Sequence, residues 1–343
     1  MGPTGDDYRV LQVHVSRRCN LECLHCYSSS GPTLHDETPV HLFCAAISDA
    51  AAEGYNVASF SGGEPLMYGP LRELLLHARE LNMVTTVTTN GMLLDRRRIE
   101  MLRGAANLVA ISLDGTPESH NRMRGDSRAF ATMAKRLPDL RASGLPFGFI
   151  FTLTQHNLNE LLWVADFALQ EGARLLQIHP LESVGRAHTQ LSHSNPDATE
   201  LSYAVLAVAR IQELAGERMR VQLDVAGREA IVEDPERVFA GNALLQHTQP
   251  LAEIVSPLII EADGAVVPVE YSFGRELALG SLRDASLTAL AAHWKTEKQS
   301  SFRRLCREVH AAATASNQPA VINWYGLIAQ KAEAESAPIH VHA

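Results

Sequence analysis

Six short apolar or β-branched runs alternate with longer helical patterns through the first half of the chain. That alternation predicts βα units feeding one parallel sheet. The strand candidates are Val10–Val15, Val57–Ser61, Val84–Thr89, Leu108–Leu113, Phe147–Thr154 and Leu175–His179. Between them lie Pro39–Glu53, Pro70–Leu81, Arg96–Arg103, Arg128–Ser143 and Leu158–Glu171, where apolar residues recur at helical spacing. Gly54, Gly144 and Gly172 stand where such helices end, as left-handed C-terminal caps. Six units are too few to close an eight-stranded barrel. The expected fold is therefore α/β, a partial (β/α)6 TIM-like barrel open on one side.

In such sheets functional residues collect beyond the C-terminal ends of the strands. Every polar, glycine-rich cluster of the first half falls there. Cys19–Cys26 follows the first strand, and Ser61-Gly62-Gly63-Glu64-Pro65 ends the second. Thr88-Thr89-Asn90-Gly91 ends the third and Ser112-Leu113-Asp114-Gly115 the fourth. Taken singly, the last three clusters are ordinary turns, and Arg124 is a solvated surface residue. Their shared rim predicts one site.

Three of the five cysteines are crowded into the eight residues Cys19-Asn20-Leu21-Glu22-Cys23-Leu24-His25-Cys26. A disulfide framework would spread and pair them, so the spacing reads as metal-bound thiolates in a reducing cytoplasm. Three thiolates at this spacing can take three corners of a [4Fe–4S] cube, which leaves one iron open to a small molecule. The rival is a zinc site completed by His25 or a distant residue. Structural zinc sites usually draw on two separated ligand pairs, and the sequence offers no second pair. Cys44 and Cys306, isolated in helical stretches, read as structural residues.

The remaining composition excludes several classes. A net charge of −9 over 343 residues argues against a general nucleic-acid or acidic-membrane surface. No apolar stretch approaches the ~20 residues of a membrane span. The acidic start Met1–Asp7 lacks the apolar core of a signal peptide.

Together these residues resemble the radical S-adenosylmethionine (SAM) superfamily. The resemblance rests on Cys19, Cys23 and Cys26 with Tyr27, and on Gly62-Gly63-Glu64-Pro65. Thr89-Asn90-Gly91 and Ser112-Leu113-Asp114-Gly115 complete it, in order and spacing, across residues 8–185. It implies a barrel core at 8–187 and a C-terminal extension at 188–343. It further implies one [4Fe–4S] cluster on the three cysteines, with the amino and carboxylate groups of SAM on its open iron. Reductive cleavage would then give a 5′-deoxyadenosyl radical that abstracts a substrate hydrogen, the electron coming from a reductant protein such as flavodoxin or ferredoxin. The implied SAM contacts begin with the Gly62–Pro65 stretch, which receives the ammonium, and Glu64, which supplies an opposite charge. Glycine at 62 and 63 would let backbone approach the ligand. Thr88 and Asn90 would reach the ribose or methionine, and Ser112 with Arg124 would hold SAM. His25 would lie beside the adenine, where relatives usually carry an aromatic residue.

After about Gly185 the texture changes. His188–Asp197 reads as a loop, Leu201–Leu214 as a helix and Arg220–Asp224 as a short strand. Pro257–Glu261 and Ala265–Val269 flank an Asp263-Gly264 turn as a hairpin, and helices follow at Leu287–Trp294 and Phe302–Ala313. These should form a small α+β cap against the barrel. Residues 257–294 resemble the cysteine-rich SPASM/twitch-like extension of peptide-modifying relatives, but Val269 stands where its first cysteine would be. No four-cysteine auxiliary cluster can be assembled, so one cluster is expected.

The run His179-Pro180-Leu181-Glu182-Ser183-Val184-Gly185-Arg186-Ala187 follows the sixth strand and resembles a Glu-x-x-Gly-Arg-Ala motif of some relatives. His179, Glu182 and Arg186 are candidate substrate contacts, with Glu270 and Tyr271 as weaker ones. The plain alternative is a surface ion pair between Glu182 and Arg186. About seven residues precede the first strand, so a peptide substrate is expected to need a separate leader-peptide-binding protein or direct capture by the barrel. The function expected is maturation of a peptide or peptide-derived natural product. The alternatives are small-molecule cofactor biosynthesis and a non-catalytic iron–sulfur or zinc protein.

Overall fold

A computed structural model describes residues 8–235 and 249–336. The acidic stretch Met1–Asp7, and residues 236–248 and 337–343 of the expected extension, lie outside them. Seven strands run parallel in chain order: β1 (Val10–His14), β2 (Val57–Ser61), β3 (Val84–Thr89), β4 (Leu108–Ser112), β5 (Phe147–Leu153), β6 (Leu175–Pro180) and β7 (Arg220–Leu223). The helices between them are α1 (Val40–Ala52), α2 (Leu71–Glu80), α3 (Arg96–Leu102), α4 (Pro117–Arg124), α5 (Ala129–Ala134), α6 (Leu137–Ser143), α7 (Leu161–Gln170), α8 (Arg186–Gln190) and α9 (Ala198–Ala215). The six expected strands are all present within two residues at either end. The short strand expected at Arg220–Asp224 joins them as a seventh parallel member, pairing Leu176 with Val221.

The helix expected over Arg128–Ser143 is two helices, α5 and α6. Pro138 in the first turn of α6 has no N–H to continue the ladder, and its ring would crowd the carbonyl four residues back. Helix α4 is too polar for periodicity to reveal, although Pro117 starts it and left-handed Gly125 stops it.

Side-chain alternation along the strands explains why the sheet encloses a cavity rather than a packed core. Leu11, Val13, Ala58, Phe60, Val87, Val109, Ile111, Phe149, Phe151, Leu176 and Ile178 are fully buried in the apolar core. Their alternates Gln12, Ser59, Thr86, Ser112, Thr152, Gln177 and Gln222 line the enclosed space. A period of two places these sets on opposite faces, and polar groups on the inner face leave room for ligand and water.

The C-terminal hairpin continues this sheet. After β8 (Ala226–Gly227) and α10 (Arg228–Glu233), strand β9 (Leu258–Ile260) pairs parallel with β1, Leu11 opposite Leu258 and Val13 opposite Ile260. β10 (Ala265–Pro268) returns antiparallel around Asp263-Gly264, and β11 (Gly280–Ser281) follows, giving a ten-stranded sheet with β11 and β7 at its edges. Helices α11 (Leu287–Glu297) and α12 (Gln299–Ala313), strand β12 (Val321–Ile322) and helix α13 (Trp324–Ser336) complete the described chain, β12 pairing with β8.

Candidate active site

The inner face of the sheet bounds a cavity of about 2260 Å³. Cys19, Cys23 and Cys26 line it from the loop after β1, the first two buried and the third half-buried. Several elements fix this loop. Cys19 N–H donates to Gly31 O at 3.1 Å, and Leu24 N–H donates to Met123 O at 2.9 Å. The strongest clamp comes from the segment after β6. Arg186 N–H donates to Cys26 O at 2.9 Å, its Nε to Cys23 O at 2.8 Å and its Nη2 to Ser30 O at 2.6 Å. Just before it, Gly185 has φ +59°, and a Cβ there would collide with the Tyr27 carbonyl. Arg186, expected beside a substrate, is therefore turned into the cysteine loop and does not line the cavity.

Burial pushes the Cys19 thiol up to about 12 and raises Cys23 as well. Thiolates here need a positive partner. Donors are already aimed at two of the sulfurs: Ser30 N–H lies 3.3 Å from Cys26 Sγ and Arg124 Nη1 lies 3.8 Å from Cys23 Sγ. Cys306 is buried in α12 and half-buried Cys44 packs on the core from α1.

Glu64 and its glycines do other work than expected. Glu64 is 1% exposed, and its carboxylate accepts from Leu66 N–H (3.0 Å), Thr89 Oγ1 (2.8 Å) and Asn90 N–H (2.9 Å). Burial raises its pKa, and these donors offset that rise in part. The side chain ties the end of β2 to the end of β3 and is absent from the cavity wall, as is Pro65. Gly63 and Gly62 do line the cavity. What forbids a side chain at Gly63 is protein backbone, because a Cβ would collide with the Arg18 carbonyl of the segment entering the cysteine loop. Gly63 N–H donates to Ser16 O at 2.6 Å, and Glu64 N–H to Arg18 O at 2.9 Å, across that close approach.

Thr88, Asn90, Ser112 and Arg124 line the cavity as expected of rim residues. Asn90 is held by its own bonds, Nδ2 donating to Asn20 Oδ1 (2.9 Å) and Oδ1 accepting from Met92 N–H (3.0 Å). Arg124, on α4, is 8% exposed and donates through Nε to Asp114 Oδ2 at 2.6 Å. Burial alone would raise Asp114, but Arg124, His25 and His120 outweigh it and hold the carboxyl at about 2. Burial works against charge on Arg124 too, yet Asp114 and Cys23 keep it protonated. His25 lies 4.0 Å from Asp114, and burial pushes it down to about 4, so its imidazole is neutral. The sequence places Asp114 in the Ser112–Gly115 cluster directly after β4 but does not mark it as the partner of Arg124.

His179, within β6, and Glu182, just beyond it, also line the cavity. His179 Nδ1 sits 3.7 Å from Asp224 Oδ2, and Asp224 also accepts from Gln177 Nε2 (2.9 Å) and Gln222 Nε2 (3.0 Å). Asp224 stands just past β7, a position the rim rule would have selected had that strand been counted in the sheet. Tyr271 packs on His14 and Tyr27 with ring centroids 4.8 and 5.6 Å apart, which brings the C-terminal hairpin to the residue after Cys26. His14 is buried and pushed down to about 3.

The donor set fits an iron–sulfur cluster and SAM. Three thiols, two buried and one half-buried, with hydrogen-bond donors at two of the sulfurs, form a soft site of the kind such clusters use. Among the described residues no three His, Cys, Asp or Glu side chains converge as they would on a single metal ion. Next to the thiols stand a charged Arg124 suited to a carboxylate and a neutral imidazole. His25 Nδ1 is buried there without a hydrogen-bond partner.

The Radical SAM superfamily model matches residues 13–168. The chain is 29% identical over 291 residues to Fe-coproporphyrin III synthase of Methanosarcina barkeri, covering 81% of this chain and 72% of that one. It is 27% identical over 199 residues to the sporulation killing factor maturation protein SkfB of Bacillus subtilis, covering 58% of this chain and 48% of that one. The chain thus spans about half the length of the second relative. In shape it resembles Streptococcus suis SuiB bound to S-adenosylmethionine, with a TM-score of 0.68 at 16% identity over 88% of this chain and 68% of that one.

Proposed function

The chain belongs to the radical SAM superfamily, and from that premise we propose an enzyme with a single [4Fe–4S] cluster on Cys19, Cys23 and Cys26. It would abstract hydrogen from a peptide or peptide-derived substrate. The observation that carries the reading is the gathering of the three thiols, Arg124, Ser112, Thr88 and Asn90 on the wall of one cavity. When bound, the cluster and SAM supply a 5′-deoxyadenosyl radical on delivery of one electron from a reductant protein such as flavodoxin or ferredoxin.

The chain's own residues hold and orient. Gly185 and Arg186 fix the cysteine loop, and Glu64 fixes the rim between β2 and β3. Arg124, kept charged by Asp114, offers a guanidinium for the SAM carboxylate. His25, kept neutral, offers a ring face for the adenine. With Val269 in place of a cysteine, the two remaining thiols cannot build a second four-cysteine cluster.

A peptide suits the cavity for two reasons. About 2260 Å³ exceeds the ~300–1,000 Å³ of ordinary small-molecule pockets. Its glutamine, serine and threonine walls match the hydrogen bonding of an extended backbone. A second reading, cofactor biosynthesis on a tetrapyrrole, is favoured by the relative that aligns over 81% of this chain. Anaerobic reactions with SAM and dithionite, scored by mass spectrometry, separate the two. Peptides encoded beside the gene should stimulate 5′-deoxyadenosine formation and lose hydrogen. Formation of Fe-coproporphyrin III from a tetrapyrrole precursor, with no response to any such peptide, would favour the second reading.

A further inference from the structure

Glu270 is 9% exposed and lines the cavity, yet among the described residues no donor or cation meets its carboxylate. An unpaired buried carboxyl is costly and calls for a partner. The chain goes to some length to hold it there. Glu270 N–H donates to Pro268 O at 2.8 Å across Val269, whose φ is +72°. That is a γ-turn with a β-branched residue at its centre, a strained arrangement. Ser272 follows at φ +65°. Buried Glu261 pins the segment by accepting from Ser272 N–H (2.6 Å) and Arg275 Nη2 (2.5 Å).

The groups around Glu270 add negative charge. Glu182 and Glu333 both act on it, and Glu182 itself faces both His179 and Asp224, which act on it in opposite senses. The nearby cations are engaged, His179 with Asp224 and Arg275 with Glu261. Tyr271, adjoining Glu270, presents its ring beside Tyr27, a surface that suits both methylenes and a cation.

We infer that Glu270, assisted by Glu182, forms a subsite for a positively charged nitrogen of the substrate, an alkylammonium or alkylguanidinium group, within the cavity that also holds the three thiols. This rests on the reading of that cavity as the substrate chamber. Burial, Glu182 and Glu333 hold the Glu270 carboxyl up at about 9, so without a cation beside it the carboxyl is protonated, and it gives up that proton to the buffer as a cation binds. The ionisable groups that line the same cavity around it are Glu182, Glu333, Asp224, His179, Tyr27, Tyr271 and Tyr325.

The test is calorimetric titration of the reconstituted, SAM-loaded protein with n-butylguanidinium and with its neutral isostere n-butylurea. The guanidinium should bind about tenfold tighter, as a charged hydrogen bond in a dry site gives. Its heat should scale with the buffer's ionisation enthalpy. Glu270→Gln should erase the preference and the buffer dependence, and Glu182→Gln should reduce them, with iron content as the control for folding. Equal binding of the two probes to the wild type would overturn the subsite. A preference that survives Glu270→Gln would overturn the role of Glu270. Neither readout depends on SAM cleavage, so failure of the radical chemistry would be seen separately.

Discussion

Arg186 Nε donates to the Cys23 carbonyl at 2.8 Å, joining the segment after β6 to the cysteine loop across 163 residues of sequence. With Nη2 on Ser30 O and the backbone amide on Cys26 O, one residue fixes three points of the loop.

Loss of that clamp should loosen the thiols before it loosens the fold. Each side-chain bond from a charged donor contributes about 1.5–3 kcal/mol. Arg186→Ala should reconstitute with less iron than wild type and lose it faster to a chelator, while far-UV circular dichroism stays unchanged. Arg186→Lys, with a point charge in place of the fork, should fall between them. Full iron retention in Arg186→Ala would return the residue to the list of substrate contacts.

Asp114 and Arg124 form a buried pair, so removal of one should be worse than removal of both. Asp114→Ala should cost about 3–5 kcal/mol, because it leaves Arg124 charged and uncompensated. The double variant Asp114→Ala/Arg124→Met should recover part of that loss in urea unfolding and still bind SAM poorly. Additive costs would mean that the two side chains do not act as a unit.

Gly63→Ala is a small change with a large expected effect. Its Cβ meets the Arg18 carbonyl, so β2 and the entry to the cysteine loop must separate. The variant should lose most of its iron, whereas Gly69→Ala, where a Cβ meets nothing within 4 Å, should not.

The subsite carboxyl also has a signature in stability. Glu270 is raised from 4.5 to about 9 in the folded chain, so between those values the folded state keeps a proton the unfolded state has lost. Stability therefore falls as pH rises through that window, with a limiting slope of about 1.4 kcal/mol per pH unit. Glu270→Gln removes this term. Its melting temperature should gain on wild type progressively between pH 5.5 and 8.5, and a constant difference would contradict the raised value.

Much of this architecture was legible from period and punctuation. Alternating β and helical runs predicted the parallel sheet, and the rule of C-terminal strand ends gathered Cys19–Cys26, Thr88, Asn90 and Ser112 on one cavity. What sequence could not tell was which polar rim residues face inward. Glu64 and Arg186 carry charge in rim motifs, yet both are consumed by backbone groups of neighbouring loops, a matter of long-range approach that no local spacing records. Pairing of β9 with β1, and hence the delivery of Glu270 and Tyr271 into the cavity, is likewise non-local: Leu258 meets Leu11 from the far end of the chain. The Asp263-Gly264 turn announced the hairpin but not its partner strand.

Cys19, Cys23 and Cys26 are proposed to hold a single cluster at which SAM is cleaved. Anaerobic reconstitution followed by iron analysis, then addition of SAM and dithionite with detection of 5′-deoxyadenosine, tests it most directly. Wild type should carry about four irons per chain and form 5′-deoxyadenosine, and Cys23→Ala should lose both. A count near eight irons, a colourless zinc-bound protein, or 5′-deoxyadenosine formation undiminished in Cys23→Ala would contradict it.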